Sequence, residues 1–381
     1  MNNIITLTKK HMSAEMQLLL AWIETSIHSE FDCEYYELLQ QVDYSSLAEL
    51  VEQHDLVPYL YHIMNSMKPK LVSDALFALI EQKYKQFLAA ASKRKKEQVR
   101  INAGFAKLQI RSVYLQGPVV VKDWQSDIFF QTSSQLVYLV EKEHLLQVNN
   151  ILMQLGYEQL ELPKTASSRQ LRSYRLAYFH PQLQQIVIIQ WRLSPLPIRE
   201  YGFEQLWQRR RSGGSEGWFS AALSREDLFI YIMLNGIIHN WTIASMLVDM
   251  KKLLHQSINW PLLIELLRKY RLCNAGGATI IFLAQLISIP PHEDIKLIIH
   301  SSKANWLAHD MLNQLTLDTT HQSPNSRIQS VLTFRHKCYG LLSFLQPSTE
   351  QILNESSPSR IVLFSNIYKL FYRTSSCRQK K

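Results

Sequence analysis

The feature that most constrains the fold is a change of hydrophobic period near residue 110. From Ser73 to Leu108 the chain reads "SDALFALIEQKYKQFLAAASKRKKEQVRINAGFAKL", with no proline and no glycine before Gly104. A stretch of that length without a breaker, with apolar residues three and four apart, is one long helix. Directly afterwards the pattern breaks into short runs: "SVYL" (112–115), "QLVYLV" (135–140), "YEQLEL" (157–162), "SYRLAYFH" (173–180) and "QQIVIIQWRL" (184–193). Runs of this length rich in Val, Ile and Tyr are strands. Between the second and third lies "EHLLQVNNILMQLG", a helix that Gly156 closes as a C-terminal cap. The segment "YFHPQLQQI" reads as a hairpin around Pro181. Residues after the long helix therefore form an α/β unit with a mixed parallel and antiparallel sheet.

Helical patterns flank this unit on both sides. Ser13 can cap a helix carrying Met16, Leu19, Leu20, Ile23 and Ile27 at helical spacing. Ser45 or Ser46 can cap the next piece, "LAELVEQH", and Pro58 suits the first turn before "YLYHIM". Beyond residue 198, Ser224 with Asp227 makes a capping box for "REDLFIYIMLNGIIHN". Asn259 with Pro261 starts "LLIELLRKY", and helices continue to about Phe371. The segments "RRRSGGSEGW" (209–218) and "STEQILNESSPSR" (348–360) are loops. The fold class is α+β, in three regions: an N-terminal helical region (1–108), an α/β core (109–197) and a C-terminal helical region (198–381). A chain of 381 residues is long for one hydrophobic core, which agrees with such a division.

Composition narrows the setting. With 46% hydrophobic and 19% charged residues, the chain is globular rather than disordered. Cys33, Cys273, Cys338 and Cys377 are scattered without a CxxC, so they make neither a disulfide framework nor a zinc site and fit a reducing compartment. The N-terminus lacks the basic–apolar–small order of a signal peptide, and "ATIIFLAQLISIPP" (278–291) is too short to span a bilayer. A soluble cytoplasmic protein without a membrane partner is the expectation. The net charge of +9 is concentrated at "KRKK" (93–96), "RRR" (209–211) and the tail "RQKK" (378–381). No aromatic interleaving accompanies these clusters, which read as solvated faces, so a nucleic-acid partner rests on net charge alone. The stretch "HEDIKLIIH" (292–300) is not HExxH, because its second histidine comes eight residues after the first. His336 and Cys338 lack a second pair of ligands. Arg209 to Arg211, beside a flexible loop, can hold an anion.

The order of pieces from about residue 56 to 290 carries a resemblance. The segments are "LVPYLYHIM", "VYLQGPVV", "LVYLV…LLQVNNILMQLGYE", "IVIIQWRL", "LSREDLFIYIMLNGIIHNW", "LVDMKKLL" and "INWPLLIELLRKY". Together they resemble a family of bacterial uncharacterised nucleotidyltransferases, relatives of the polymerase-β-type fold. The resemblance implies a nucleotidyltransferase-like mixed sheet flanked by the two helical regions. It also implies a site in which a first strand ends in a glycine turn beside a triphosphate. The next strand carries Asp-x-Asp and a later one a third carboxylate, which together clamp two divalent metals about 3.5–4 Å apart. Alternation along a strand puts residues i and i+2 on one face, which is why the two aspartates are one residue apart.

Carried over position by position, the resemblance implies a site without its carboxylates. Gly117 matches the glycine turn, but Gln116 stands where the family has a lysine, and Gln131 where it has an arginine. Gln135 and Val137 occupy the positions of the two aspartates. Ile188 occupies that of the third carboxylate and Gln190 that of a histidine, while Trp191 matches. Asp127 matches an acidic loop position. If nucleotide binding is retained, Gln116, Gly117, Gln131 and Gln190 are its residues. No nearby acid replaces the missing ones. Glu141 shares parity with 135 and 137 but lies about 13 Å beyond Val137 along a strand. Asp123 and Asp127 belong to a loop, and Gln184, Gln185, Gln190 and Arg192 are not anionic ligands of the kind magnesium prefers. Acids and bases are lost together, so the cleft is neutral rather than left with unpaired cations.

In the helices that follow, His239 and Asp249 match a His…Asp pair of the family, and Asn235 stands where a further histidine is common. Helical spacing puts 235 and 239 on one face, so the two can meet a ligand together. The structural alternative is that His239 and Asp249, both in apolar runs, hydrogen-bond across neighbouring helices. The resulting expectation is a non-catalytic member without metal or cofactor. It binds a protein or peptide partner, as an accessory in a bacterial biosynthetic or modification pathway. The alternative is an active enzyme that uses Mg²⁺ and a nucleoside triphosphate to move a nucleoside monophosphate onto a small molecule, peptide or protein.

Overall fold

The structure is a computed structural model that describes residues 13–24, 38–66, 73–116, 135–160, 174–196, 198, 202–212, 220–239, 241, 244–287, 289 and 292–316. Gly117, Asp123, Asp127, Gln131, His336, Cys338 and the basic tail lie outside the described residues, as do most of residues 209–218. Among the described residues the first helices are α1 (Ala14–Glu24), α2 (Tyr44–Gln53), α3 (Val57–Ser66) and α4 (Asp74–Lys107). Then follow β1 (Ser112–Gln116), β2 (Gln135–Val140), α5 (Leu145–Gln154), β3 (Glu158–Gln159), β4 (Arg175–His180) and β5 (Gln185–Gln190). Next come α6 (Phe203–Arg209), β6 (Arg211–Ser212), β7 (Ser220–Ala222), α7 (Arg225–Ile238) and α8 (Ser245–Leu254). The last among the described residues are α9 (Trp260–Tyr270), α10 (Cys273–Leu286), α11 (Lys296–Ile299) and α12 (Ser302–Thr316).

The chain divides into two compact units. One takes its described residues mainly from Met1–Glu97 and Leu223–Val331, so the early and late helices belong to the same unit. The other takes them from Gln98–Leu115 and Gln135–Ala222 and holds the sheet.

In the helical unit the starts of the helices follow local chemistry. Ser13 Oγ accepts from the Met16 amide at 3.2 Å, and Ser73 Oγ from Leu76 at 3.2 Å at the head of α4. The cap of α2 is Asp43, not Ser45 or Ser46. Asp43 is extended, and its Oδ2 accepts from the Ser46 amide at 2.8 Å, so the helix begins before either serine. The Ser46 side chain, and next its amide, hold the Asp43 carboxyl below its usual range by hydrogen bonding. Pro58 sits in the first turn of α3, where no amide proton is needed. The "KRKK" cluster on α4 is split: Lys93 and Lys96 are exposed, while Arg94 and Lys95 are half-buried. Among the described residues no helix is long and apolar enough to cross a membrane.

The second unit is a seven-stranded mixed sheet in the order β3-β4-β5-β2-β1-β7-β6. The pairs β2/β5 and β1/β7 are parallel, whereas β3/β4, β4/β5 and β6/β7 are antiparallel. The central strand β2, "QLVYLV", is buried from Leu136 to Val140, the continuous apolar run of a strand covered on both faces. Strand β4 instead alternates half-buried and buried residues. The hairpin around Pro181 is present, with His180 opposite Gln185 and Gln184 in the left-handed region at φ 51°. Helix α5 ends in a Schellman motif: the Tyr157 amide donates to Leu152 O and the Gly156 amide to Met153 O. Gly156 has φ 91°, which a side chain would strain. The run expected as a strand over 157–162 pairs only at Glu158–Gln159 among the described residues.

Candidate functional site

The site face is defined by the register of β2 and β5. Gln135 lies opposite Ile186, Val137 opposite Ile188 and Leu139 opposite Gln190. Paired residues of neighbouring strands project to the same side, so Gln135, Val137, Ile188 and Gln190 share one face. On β4, Ala177 lies opposite Ile188 and Arg175 opposite Gln190, which extends that face by one strand. The other face carries Leu136, Tyr138 and Tyr178. Tyr138 meets Phe105 of α4 edge-on at 5.4 Å, and Tyr178 Oη donates to Asn149 Oδ1 of α5 at 3.0 Å. The end of α4 and helix α5 therefore pack on the side away from Val137 and Ile188.

The structure thus brings together four of the positions picked out in the sequence. Val137 is 2% exposed, Ile188 6% and Gln190 5%. Gln135 is half-buried at the start of β2. At the centre of the face two aliphatic side chains meet where a metal pair would need carboxylates. Gln190 is buried between Leu139 and Arg175, and its Oε1 finds no hydrogen-bond partner among the described residues. Arg175 lies over the Tyr174 ring, 5.6 Å from its centroid. Arg192 is spent on the chain itself, with Nη2 donating to Leu196 O and Ile198 O at 2.9 and 3.1 Å. Gln116 is the last residue of β1.

A magnesium pair does not fit the described residues of this face. Such ions need hard, charged oxygen ligands, and Val137 and Ile188 present only methyl groups. Glu141, the acid nearest in sequence, is engaged elsewhere. Its Oε1 lies 2.7 Å from Arg111 Nη2, which also lies 2.8 Å from Glu204 Oε2. His144 Nδ1 lies 3.3 Å from Glu141 Oε2 without the alignment of a hydrogen bond. The Arg111 guanidinium also sits over Phe203 and Trp207 of α6, 5.5 and 5.4 Å from the ring centroids. Glu141 therefore belongs to an ion-pair and cation–π cluster at the end of β2. Neither the distance argument nor any motif had pointed to that cluster.

The helical positions behave differently from expectation. Asn235 donates its side-chain amide to Tyr231 O at 2.8 Å, one turn back in α7. His239 is the exposed C-cap of α7 rather than a residue buried in an apolar run. The His239 amide still donates to Asn235 O at 2.9 Å, so 235 and 239 stay one turn apart at the end of α7. Asp249 has its Oδ1 enclosed without a hydrogen-bond partner among the described residues. Burial pushes its carboxyl up to about 7; Lys252 opposes that shift and Asp55 adds to it. Asp55, in the turn between α2 and α3, is exposed at the surface; partial desolvation there raises its carboxyl to about 6, against the pull of Arg94. Asp249 was singled out in the sequence, whereas Asp55 and Arg94 were not, because they lie far from it along the chain and in no motif. Elsewhere, His292 Nδ1 accepts from the Asp294 amide at 3.3 Å, a local cap rather than a metal ligand. Among the described residues no group of three or more His, Cys, Asp or Glu side chains can hold a metal ion. Arg210 stacks on Trp207 with its guanidinium carbon 4.1 Å from the ring centroid, so of the "RRR" run it is committed to packing.

Comparison with known proteins adds one match. A family model described as an uncharacterised nucleotidyltransferase matches residues 40–288. No curated protein and no solved structure matches the chain.

Proposed function

The chain belongs to the uncharacterised nucleotidyltransferase family, and from that membership we propose that it is a non-catalytic member whose metal site has been lost. In this reading it acts by binding, as an accessory to a bacterial biosynthetic or modification pathway. The partner is a protein or peptide, taken through the former cleft or the basic helical surfaces. The observation that carries the reading is the pairing of Val137 with Ile188 at the centre of the sheet face. Two-metal phosphoryl transfer depends on anionic oxygens that hold both ions and the substrate phosphates in line. A buried aliphatic pair supplies none. The capture of Glu141 by Arg111 supports the same reading, because it ties up the acid nearest to the strand.

Labelled nucleoside triphosphates incubated with the full-length protein and Mg²⁺ or Mn²⁺ test this. The expected result is neither metal-dependent binding nor transfer of label to the protein. Metal-dependent binding or self-labelling would overturn the proposal in favour of an active nucleotidyltransferase.

A further inference from the structure

Within the helical unit a row of stacked aromatic rings runs along one flank of α4. Tyr61 of α3 lies between Phe77 and Tyr84 of α4, with ring centroids 5.9 and 4.1 Å away and planes 30° and 14° from parallel. Tyr84 is followed by Phe87 at 6.5 Å and 15°, and Arg94 closes the row with its guanidinium carbon 5.6 Å from the Phe87 centroid. All of these residues are half-buried. Leu88, four residues after Tyr84 and so on the same flank, is 38% exposed. Phe77, Tyr84, Leu88 and the half-buried Lys95 follow one another at intervals of seven, four and seven residues, which is a single helical stripe. Exposed Lys93 and Lys96 flank its end. From Asp74 to Glu97 the helix carries six cations against three acids. Lys83 meets Glu52 and Lys85 meets Glu81, so the positive surplus lies in the turn 93–96.

We propose that this stripe is the docking surface for an acidic amphipathic helix of a partner protein. The proposal rests on the reading of the chain as a binding protein, and it names the surface and the chemistry of the partner. The stacking decides what fits. Tyr61, Tyr84 and Phe87 turn their faces to one another or to Arg94, so what they leave to solvent is their edges. Ring edges carry the positive end of the aromatic quadrupole and attract carboxylates. A nucleobase needs a free ring face to stack on, and these inner rings have theirs engaged. An apolar side chain of the partner seats against Phe77, Tyr84 and Leu88, and its acids meet the ring edges and the cations of the turn 93–96. From Phe77 to Lys95 the stripe runs about 27 Å at 1.5 Å per residue, which holds about five turns of a helix laid along it.

The two kinds of contact act on different steps. The cations speed the encounter and make it sensitive to salt, whereas Leu88 and the ring edges exclude water and set how long the complex lasts.

Fluorescence anisotropy on the full-length protein tests the surface with a labelled peptide of about 18 residues, leucines at helical spacing and glutamates elsewhere. A second peptide of the same composition has its leucines scrambled off the stripe. The first is expected to bind at least about tenfold more tightly, and Leu88→Glu to weaken it by about tenfold, as for loss of a central anchor. Gln86→Glu adds the same charge at an exposed position on the opposite side of α4 and should leave the affinity within about twofold. Should Leu88→Glu not fold, Lys93→Gln combined with Lys96→Gln carries the same expected loss. Equal binding of the two peptides, equal loss in Leu88→Glu and Gln86→Glu, or no saturable binding would overturn the proposal. So would tighter, Leu88-dependent binding of a labelled oligothymidine of about 20 nucleotides, or of anionic vesicles, which would give the surface to nucleic acid or to a membrane. None of these outcomes alters the nucleotide-labelling result, and self-labelling would leave the peptide affinity as it is, so the two readings fail separately.

Discussion

Val137 and Ile188 face one another directly across the parallel pair β2/β5, both almost completely buried. The residue across from Ile188 on β4 is Ala177, and the polar groups of the face, Gln135, Gln190 and Arg175, lie one residue pair away, so a carboxylate placed at either position has no directly opposed partner. Val137→Asp, or Ile188→Glu, is expected to lower stability by about 3 kcal/mol or more in urea unfolding, as for an uncompensated buried charge. Adding Mg²⁺ should not restore it. Recovery of the midpoint with Mg²⁺ would mean that the face still assembles a metal site.

Arg111 joins Glu141, Glu204 and two aromatic rings of α6 through one guanidinium. The flat guanidinium lies against both rings while one of its nitrogens, Nη2, reaches both carboxylates, and a lysine, with a compact ammonium and no planar face, does not reproduce that stacking. Arg111→Lys should therefore cost nearly as much as Arg111→Ala, about 1 kcal/mol for these partly exposed contacts. The cost should shrink in high salt as the ion pairs are screened. Denaturation midpoints at low and high NaCl measure this. A fully tolerated lysine would show that charge, not geometry, holds the cluster.

Much of the fold was readable because its signals are local. The unbroken run from Ser73 to Leu108, the alternation and length of the β runs, the Gly156 cap and the Ser224–Asp227 box each depend on a few neighbouring residues. Where reading failed, a competing local choice or a distant partner decided. Asp43 took the cap of α2 from Ser45 and Ser46 because an extended aspartate one residue before the helix meets the first free amides better. The helix α7 stopped at Ile238, which put His239 in solvent. The site was legible only by position: Gln135, Val137 and Ile188 were found by matching segments, and their adjacency is a property of strand register. The Arg111–Glu141–Glu204 cluster joins residues from distant segments, and a single sequence carries no trace of such contacts.

Ser224 is buried at the head of α7. Its Oγ accepts from the Asp227 amide at 3.1 Å and donates to Asp227 Oδ2 at 3.0 Å. Because Asp227 is fully buried, loss of the hydroxyl removes one hydrogen-bond partner from its amide and one from its carboxylate. Ser224→Ala is expected to cost about 2 kcal/mol, the upper end for an N-cap, and Ser224→Thr much less. Thermal unfolding of the two variants measures the difference. Equal losses would show that volume at this position, rather than the cap, matters.

Gly276 and Gly277 stand side by side in α10, yet their neighbours differ in kind. A Cβ on Gly277 would run into the carbonyl oxygen of Ile298 in α11, a backbone atom, with Ala304 Cβ at 3.2 Å behind it. A Cβ on Gly276 would meet Leu267 Cδ1 at 2.7 Å, the far end of a side chain that can turn away. Both substitutions gain up to about 1 kcal/mol of helix propensity, so propensity does not separate them. Packing does: Gly277→Ala requires α10 and α11 to move apart and should cost about 1–3 kcal/mol, while Gly276→Ala should come close to neutral. Urea unfolding of the two single variants measures the ordering directly. Equal effects, or a greater loss at 276, would mean that α11 yields readily and that the close approach of these two helices is not a fixed feature of the unit.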